Sequence, residues 1–345
     1  MRRVTRFPSS LGVALALGML IQAAAAPAAL LAKVPDVPVT VTPVPNNATT
    51  TANAFVTAGD FVAFDVALTN DSPSTVAQLT IDATVAGPQP TYRGTFIVGG
   101  SLAAQTSCSA SGAFACTVGN VASGGDLQLR VVYLTSTTTG TLDAEFFGTS
   151  TGAPGSDPGT SHGDTFQASA AVDTLAPFSD TGDKGTSGYV PPSGVDLQTN
   201  PAGFGPQNPM WTRITVPAAA LANAQFGTTA FLQEANSFDG VVCPLDACFG
   251  QTSNLALAGG AHLPAPFKVE VRVDNAKKST NLQRWTLVHI LDDKTSYEIV
   301  DTECAMVGGV PTNAPCLESK GVAPDDKSDY VAVLWLLENG YIRNG

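Results

Sequence analysis

Apolar side chains recur at every second position in several short runs of this sequence, and this alternation restricts the fold more than any other feature. In Phe61–Thr69 the even positions are apolar, and in Phe267–Val273 the odd positions are apolar with Lys, Glu and Arg between them. Successive side chains of a β-strand point to opposite faces, so each run predicts a strand with one buried face. Similar signals predict further strands at 79–85, 95–98, 127–134, 141–147, 165–172, 211–216, 230–233, 255–257, 285–291, 296–300 and 330–337.

The spacing of these runs predicts an all-β fold made of two antiparallel immunoglobulin-like β-sandwich domains in tandem. The 345 residues include 33 Gly and 24 Pro, which suits short strands joined by turns. Residues 218–225 are the one place where a short helix competes with a loop. The predicted segments are a signal peptide at 1–32, an extended lead-in at 33–54 with an edge strand at 38–42, a first sandwich at 55–172, a linker or irregular start of the second domain at 173–208, and a second sandwich at 209–345.

The N-terminus has the pattern of a secretory signal peptide. Three arginines in the first six residues precede an apolar run at 11–21 and then a series of alanines. This order of basic, apolar and small residues is typical of a signal peptide, with cleavage after Ala25 or Ala32. An uncleaved membrane anchor is the alternative, since the apolar stretch is just long enough to span a bilayer. Either outcome predicts an extracellular protein, secreted or associated with the cell envelope.

The charge of the chain narrows the class of partner. The formal net charge is −12, and no cluster of basic residues follows the N-terminal arginines. Nucleic acids and anionic membranes attract basic surfaces, so we expect neither as a partner. Glycans or proteins of the cell envelope remain as candidate partners, and the sequence does not identify one.

The six cysteines predict local disulfides. An even number of cysteines in a secreted chain indicates a disulfide framework. A zinc site is not expected, because the chain has no Cys-x2-Cys pair and no histidine at zinc spacing from the cysteines. Spacing favours sequential pairing, Cys108 with Cys116, Cys243 with Cys248, and Cys304 with Cys316.

No constellation predicts catalysis. Residues 159–163 match the G-x-S-x-G pattern around Ser161, but a Gly/Pro loop precedes this serine and a strand follows it, which is not the strand–turn–helix that the motif needs. The histidines His162, His262 and His289 lie in no recognisable acid–base context. We therefore predict no catalytic, cofactor-binding or metal-binding residue and no enzymatic activity, with an extracellular hydrolase as the least favoured alternative.

Two kinds of binding residue remain as alternatives. Asp180–Gly185 and Asp325–Asp326 are the best calcium candidates, although a solvated acidic loop is the favoured interpretation of each of them. Trp211 and Trp285 could form a stacking surface for a sugar ring, whereas aromatic residues in strands usually belong to the core. Trp335, Tyr92 and Tyr341 are considered with them, and Trp335, which lies inside an apolar run, is the best core candidate.

The first predicted sandwich resembles a family of bacterial surface repeats called "domain of unknown function eleven". Thr69-Asn70 ends a strand and a Pro-Ser-Thr turn follows. Later, Cys116-Thr-Val-Gly-Asn leads through Ala122-Ser-Gly-Gly into the apolar strand 127–133. Ser72 replaces the family's usual glycine and the closing paired asparagines are absent. The resemblance covers residues 55–172 and implies an immunoglobulin-like fold without assigned catalytic residues.

The second predicted sandwich is similar to C-terminal β modules of secreted actinobacterial-type proteins. The resemblance is carried by Asn208-Pro209, Cys243-Pro244, Cys248-Phe-Gly-Gln251 and Pro315-Cys316. Together the two resemblances imply a structural, adhesive or interaction role at the cell envelope and transfer no active site. A non-catalytic interaction protein is therefore the leading functional prediction, with a carbohydrate-binding protein that uses exposed aromatics as the alternative.

Overall fold

The structure is a computed structural model in which residues 35–345 form one compact unit. The predicted signal peptide and the pair Ser161–His162 lie outside the described residues. None of the helices among the described residues is long and apolar enough to cross a membrane. The structure describes residues 37–46, 52–72, 75–151, 165–176, 178–180, 183–199, 210–221, 227–235, 238–245, 248–257, 262–274 and 282–345.

Ten strands build the N-terminal sandwich, the name used here for β1–β10 and the core between their sheets. One sheet has the order β1-β3-β8-β5, and the other has the order β2-β10-β9-β4-β7-β6. The predicted edge strand of the lead-in is confirmed, because β1 lies at the end of its sheet and pairs with β3. The strands are β1 Val39–Val44, β2 Ala54–Thr57, β3 Phe61–Thr69, β4 Val76–Ala86, β5 Thr91–Gly99, β6 Thr106–Cys108, β7 Ala115–Val121, β8 Asp126–Leu134, β9 Gly140–Thr151 and β10 Thr165–Leu175.

A closed ring of five aromatic side chains fills the middle of this sandwich. Phe64 of β3, predicted on the apolar face of its strand, contacts Tyr133 and Phe146 with ring centroids 6.1 and 5.8 Å apart. Phe114 and Tyr92 complete the ring, with neighbouring centroids 5.6 to 6.1 Å apart. Edge-to-face packing of this kind adds to the hydrophobic burial. Phe114 is the one large residue of the loop that the first disulfide closes.

The C-terminal sandwich comprises β11–β24 and the core between its two sheets. Twelve of these strands build the two sheets, and β20 and β21 form a separate two-stranded sheet. A seven-stranded sheet has the order β11-β12-β15-β16-β24-β18-β19, and a five-stranded sheet has the order β13-β14-β17-β23-β22. The strands are β11 Phe178–Asp180, β12 Asp183–Val190, β13 Gly194–Gln198, β14 Trp211–Pro217, β15 Thr228–Ala235, β16 Phe249–Leu257, β17 His262–Asp274, β18 Leu287–Leu291, β19 Tyr297–Ile299, β20 Met306–Val307, β21 Val310–Pro311, β22 Cys316–Val322, β23 Asp329–Glu338 and β24 Gly340–Asn344.

The all-β prediction is confirmed, and helical residues in the described ranges are limited to single 3-10 turns at 103–105, 218–221 and 282–284. The sheets are antiparallel with one departure, because β2 pairs in parallel with β10, from Ala54 opposite Val172 to Thr57 opposite Leu175. The chain reaches this position by leaving one sheet after β1 and joining the other. The immunoglobulin-like classification and the division into two domains stay predictions, since one compact unit contains both hydrophobic cores.

The segment predicted as a linker or irregular start contains regular structure. Strands β11, β12 and β13 all lie between residues 173 and 208. The side chains of residues 185–190 in β12 are all buried. A strand buried on both faces has no reason to alternate apolar and polar residues, and this one is built largely from Gly, Ser and Thr. The alternation test therefore missed it.

Candidate functional site

The three disulfides follow the sequential pairing predicted from their spacing. Cys108 bonds to Cys116, Cys243 to Cys248 and Cys304 to Cys316, with Cα atoms 4.0, 5.9 and 5.0 Å apart. Cys108 and Cys116 are also register partners on β6 and β7. Each bridge closes a short local loop, so the three bridges stiffen turns and do not connect the sheets across a core.

The proposed stacking role of Trp285 is wrong. This side chain is only 1% exposed, and its indole N–H donates to Asn344 Oδ1 at 3.2 Å. Its ring packs on Tyr330 with centroids 5.4 Å apart. A side chain enclosed by the C-terminal core offers no ring face to a sugar. Trp211 is half-buried on β14, so the two tryptophans do not form one exposed platform.

The remaining aromatic candidates are also buried. Trp335 donates its indole N–H to Glu318 Oε2 at 2.6 Å. Tyr92 belongs to the aromatic ring of the N-terminal sandwich, and Tyr341 packs against Phe238 with centroids 5.5 Å apart. These three residues therefore belong to the cores and their borders, as aromatic strand residues usually do.

The acidic pair Asp325–Asp326 has structural partners. Asp325 accepts a hydrogen bond from Arg272 Nη1 at 2.9 Å, and this bond lowers the pKa of its carboxyl. Asp326 accepts bonds from the backbone N–H and hydroxyl of Ser328 and so closes a turn. The described residues contain no group of three or more His, Cys, Asp or Glu side chains that could hold a metal ion. The loop of the other calcium candidate, at 180–185, is only partly described.

The histidines do not assemble a catalytic site in the described structure. His289 is buried on β18, and its Nδ1 lies 2.8 Å from Glu298 Oε1 on the neighbouring strand. Its Nε2 faces Gly340, where an added Cβ would lie 2.8 Å from this nitrogen. His289 is thus a core histidine held by one carboxylate. His262 begins β17, and His162 lies outside the described residues.

A cleft of about 450 Å³, here called the junction cleft, lies between the two sandwiches. Its floor is the face of the seven-stranded sheet formed by β12, β15 and β16. Ser187, Phe231 and Ala256 occupy one register row across these three strands. The opposite wall comes from the N-terminal sandwich, at the end of β1 and on β2. The residues that line it are Pro45, Asn46, Phe55, Ser187, Thr229, Ala230, Phe231, Ala256 and Leu257.

Hydrogen bonds between β12 and the N-terminal sandwich fix the floor of the cleft. The backbone N–H of Ser187 donates to Thr57 Oγ1 at 2.8 Å, and the Thr186 hydroxyl donates to Asp60 Oδ2. Burial raises the pKa of Asp60 to about 6, and the bond from Thr186 partly opposes this effect. Protonation of one carboxyl at mildly acidic pH therefore changes a contact beside the cleft.

A second contact joins the same two surfaces. Arg130 donates from Nε and Nη2 to the two carboxylate oxygens of Asp65, both at 2.7 Å. Its guanidinium carbon lies 5.7 Å from the ring centroid of Tyr189 on β12. Burial raises the pKa of Tyr189 to about 12, so this phenol stays neutral. The bidentate pair orients the guanidinium over the ring and connects β8 to β12.

The lining of the junction cleft favours binding over chemistry. Its side chains are apolar, aromatic, amide or hydroxyl groups, and none of the described lining residues is an acid, base or thiol. Two half-buried phenylalanines, Phe55 and Phe231, supply ring surface, and Asn46 and Thr229 supply hydrogen-bonding groups. Sequence reasoning missed both phenylalanines, because Phe55 lies on a short strand that was not predicted and Phe231 lies on a short predicted strand whose sequence gives no sign of a second contact surface.

Comparison with known proteins places this chain in no family. No family model matches it, and no curated protein matches it. Similar solved structures include the third cohesin ScaC of Acetivibrio cellulolyticus, with 12% identity over 41% of this chain and 99% of that chain and a TM-score of 0.29. The collagen-binding domain of a Staphylococcus aureus adhesin has 9% identity over 34% and 89%, with a TM-score of 0.25. The bacterial hydrophobin BslA has 14% identity over 41% and 96%, with a TM-score of 0.23. Likenesses with TM-scores this low carry no argument about function.

Proposed function

We propose that this protein is a non-catalytic, extracellular binding protein of the cell envelope that takes a segment of an uncharged glycan into the junction cleft. The carrying observation is the lining of the cleft, in which two phenylalanine rings lie beside neutral hydrogen-bonding groups. Ligand sites are commonly concave, mostly apolar surfaces with a few convergent polar groups, and they often lie between domains. Sugar rings offer apolar faces and hydroxyls that match such a lining.

Two further features support the extracellular part of the proposal. Three disulfides are typical of a protein that works in an oxidising compartment. The predicted signal peptide would deliver the chain there. We include in this proposal the resemblance of residues 55–172 to bacterial surface repeats, since a surface location suits a protein that binds envelope glycans.

The test is a titration of the oxidised protein from residue 33 with cellohexaose and chitohexaose as neutral glycan probes, followed by calorimetry. Replacing Phe231 with Ala removes a central ring of the floor, and we expect the association constant to fall about tenfold or more. Phe147→Ala is the matched control, because Phe147 is exposed on the outer face of the N-terminal sandwich, away from the cleft.

The outcomes separate cleanly. Loss of binding in Phe231→Ala, with binding retained in Phe147→Ala and both variants folded by near-ultraviolet circular dichroism, supports the proposal. Absence of binding by both probes, or equal binding by the parent and Phe231→Ala, overturns it. Hydrolysis of either probe would overturn its non-catalytic part.

A further inference from the structure

Strand β19 ends the seven-stranded sheet, and its outer edge has no partner strand in the described parts of the chain. Its inner neighbour is β18, with Glu298 opposite His289 and Tyr297 opposite Ile290. An edge strand presents backbone donors and acceptors that another extended chain can use. Most natural edge strands are protected against pairing with another chain.

The backbone of β19 leaves two residues open on that edge. Leu291 N donates to Ser296 O, and Val300 N donates to Leu287 O, both at 2.9 Å. Residues at the even positions of this segment therefore point their N–H and C=O groups toward β18. Because bonding direction alternates along an antiparallel strand, Tyr297 and Ile299 direct theirs outward.

The side chains of the same two residues are large, apolar and exposed. Tyr297 is 51% exposed and Ile299 is 47% exposed. Their register partners on β18, Ile290 and Val288, are buried in a small apolar cluster on this face with Tyr341. Neighbouring side chains on one sheet face lie within contact distance, so Tyr297 and Ile299 extend an apolar surface to the edge of the sheet.

The corresponding edge of the other sheet is built differently. Strand β22 ends the five-stranded sheet and exposes Glu318, Ser319 and Lys320. Charged residues on an edge discourage pairing with another chain. Leu317 of β22 is also covered by a backbone bridge to Glu303, so the C-terminal sandwich protects this edge with charge and with a bridging segment and leaves a different surface at β19.

Carboxylates flank the β19 edge on both sides. Asp292 and Asp293 precede it in the chain and Asp301 follows it, all of them exposed, whereas Glu303 is bridged to Leu317 of β22. The nearest cation in the sequence, Lys294, donates to the backbone carbonyl of Asp239 at 2.6 Å and lies 6.0 Å from the Tyr341 ring centroid. The surroundings of the edge are therefore acidic and favour a cationic partner.

We propose that β19 is the docking site of an extended partner polypeptide whose apolar residues alternate with Lys or Arg. The partner strand adds to the open edge through the backbone groups of Tyr297 and Ile299, and its apolar residues pack on their side chains. Its basic residues are attracted by the carboxylates of Asp292, Asp293 and Asp301. A second copy of this chain would place the same carboxylates against each other, so the charge pattern disfavours that occupant. This site is separate from the junction cleft.

The experiment measures binding of a labelled, capped hexapeptide of alternating Val and Lys to the oxidised protein by fluorescence anisotropy. A Val–Glu hexapeptide of the same length tests charge, and a Val–Lys peptide N-methylated on alternate residues tests the backbone bonds. We expect the unmodified Val–Lys peptide to bind about tenfold or more tightly than the Val–Glu peptide and the N-methylated peptide. Its affinity should fall as the salt concentration rises. Ile299→Lys should remove this binding.

Val322→Lys is the matched control, since Val322 is 46% exposed on the charged edge β22. The proposal holds if Val322→Lys binds like the parent while Ile299→Lys and Tyr297→Ala bind at least several-fold more weakly. Equal binding of the Val–Lys and Val–Glu peptides, equal binding of the N-methylated peptide, or unchanged binding by Ile299→Lys would overturn it. Concentration-dependent dimerisation that Ile299→Lys abolishes, seen by sedimentation, would assign the edge to a second copy instead.

Discussion

The four-stranded sheet of the N-terminal sandwich has contacts on both of its faces, and the two faces use different chemistry. The inner face contributes Phe64 and Tyr133 to the aromatic ring of the core. The outer face presents the small residues Ala63 and Val132 to Tyr189 of β12. Beside them, the Asp65–Arg130 pair adds charge to this contact.

The two faces therefore have different roles: the inner face stabilises the N-terminal sandwich, and the outer face positions β12. The inner face is buried and closely packed, so its side chains determine whether the sandwich folds. The outer face is an interface of apolar, polar and charged groups that positions β12, and β12 carries the floor of the junction cleft. Changes to the inner face should therefore unfold the sandwich, whereas changes to the outer face should alter the cleft at a smaller cost in stability.

The largest effect is expected on the inner face. Phe146→Ala removes a fully buried member of the aromatic ring and should lower the free energy of unfolding by about 3–5 kcal/mol. Urea unfolding followed by tyrosine fluorescence measures the change. The adjacent Phe147 is 38% exposed on the opposite face of β9, so Phe147→Ala should cost far less. Similar losses for the two variants would contradict the packing described for β9.

The next largest effect is expected from the titration of Asp60, which contacts Thr186 of β12. Its pKa is about 6 in the folded protein against an ordinary value of 3.8. As pH rises, the native state therefore keeps this proton over a range in which the unfolded chain has already released it. Stability contributed by this group is therefore present at pH 4 and lost as pH rises through about 6, by at most about 3 kcal/mol.

Asp60→Asn imitates the protonated carboxyl and can still accept a hydrogen bond from Thr186. We expect the variant to match the parent near pH 4 and to be the more stable of the two at pH 7, as measured by thermal unfolding at both values. Parallel pH profiles for the two proteins would show that Asp60 does not titrate in this window.

The smallest effect concerns Arg130. Its partner Asp65 has a side chain that is 41% exposed, so solvent screens the pair and Arg130→Ala should cost about 1 kcal/mol. A double-mutant cycle with Asp65→Ala isolates the pair, and glycan titration of Arg130→Ala reports on the cleft. Arg213→Ala is the control, because its exposed pair with Asp196 lies on the β13–β14 ladder. A larger loss of glycan affinity in Arg213→Ala than in Arg130→Ala would contradict the proposal that Arg130 positions β12.

Alternation predicted the strands well wherever one face meets a core and the other meets solvent. Strand β3 spans the run Phe61–Thr69 that predicted it, and β17 includes Phe267–Val273. Strand β12 escaped prediction because both of its faces are buried. The burial of Trp285 was also out of reach, since the residues that enclose it, Tyr330 and Asn344, are far along the chain.

The candidate sites are formed by residues that folding brings together from distant parts of the chain, and not by local sequence motifs. Phe55 and Phe231 are separated by most of the chain, and only the contact between β12 and the N-terminal sandwich brings their strands to one cleft. Strand β19 was predicted within residues 296–300, but the order of strands in the sheet decides that it is an edge. Sequence patterns indicate which face of a strand is buried. The order of strands in a sheet and the contacts between sandwiches depend on pairing between residues far apart in the chain.

The parallel pairing of β2 with β10 has a mechanical consequence. The chain enters β2 at Ala54 and leaves β10 at Leu175, and the two strands lie side by side and point the same way. A force that pulls these two points apart would slide the strands past each other and load all the hydrogen bonds between them at once. An antiparallel hairpin pulled at its open end would instead release its bonds one after another. This pair would act as a shear clamp, and the first disulfide, between β6 and β7, lies outside the loaded strands.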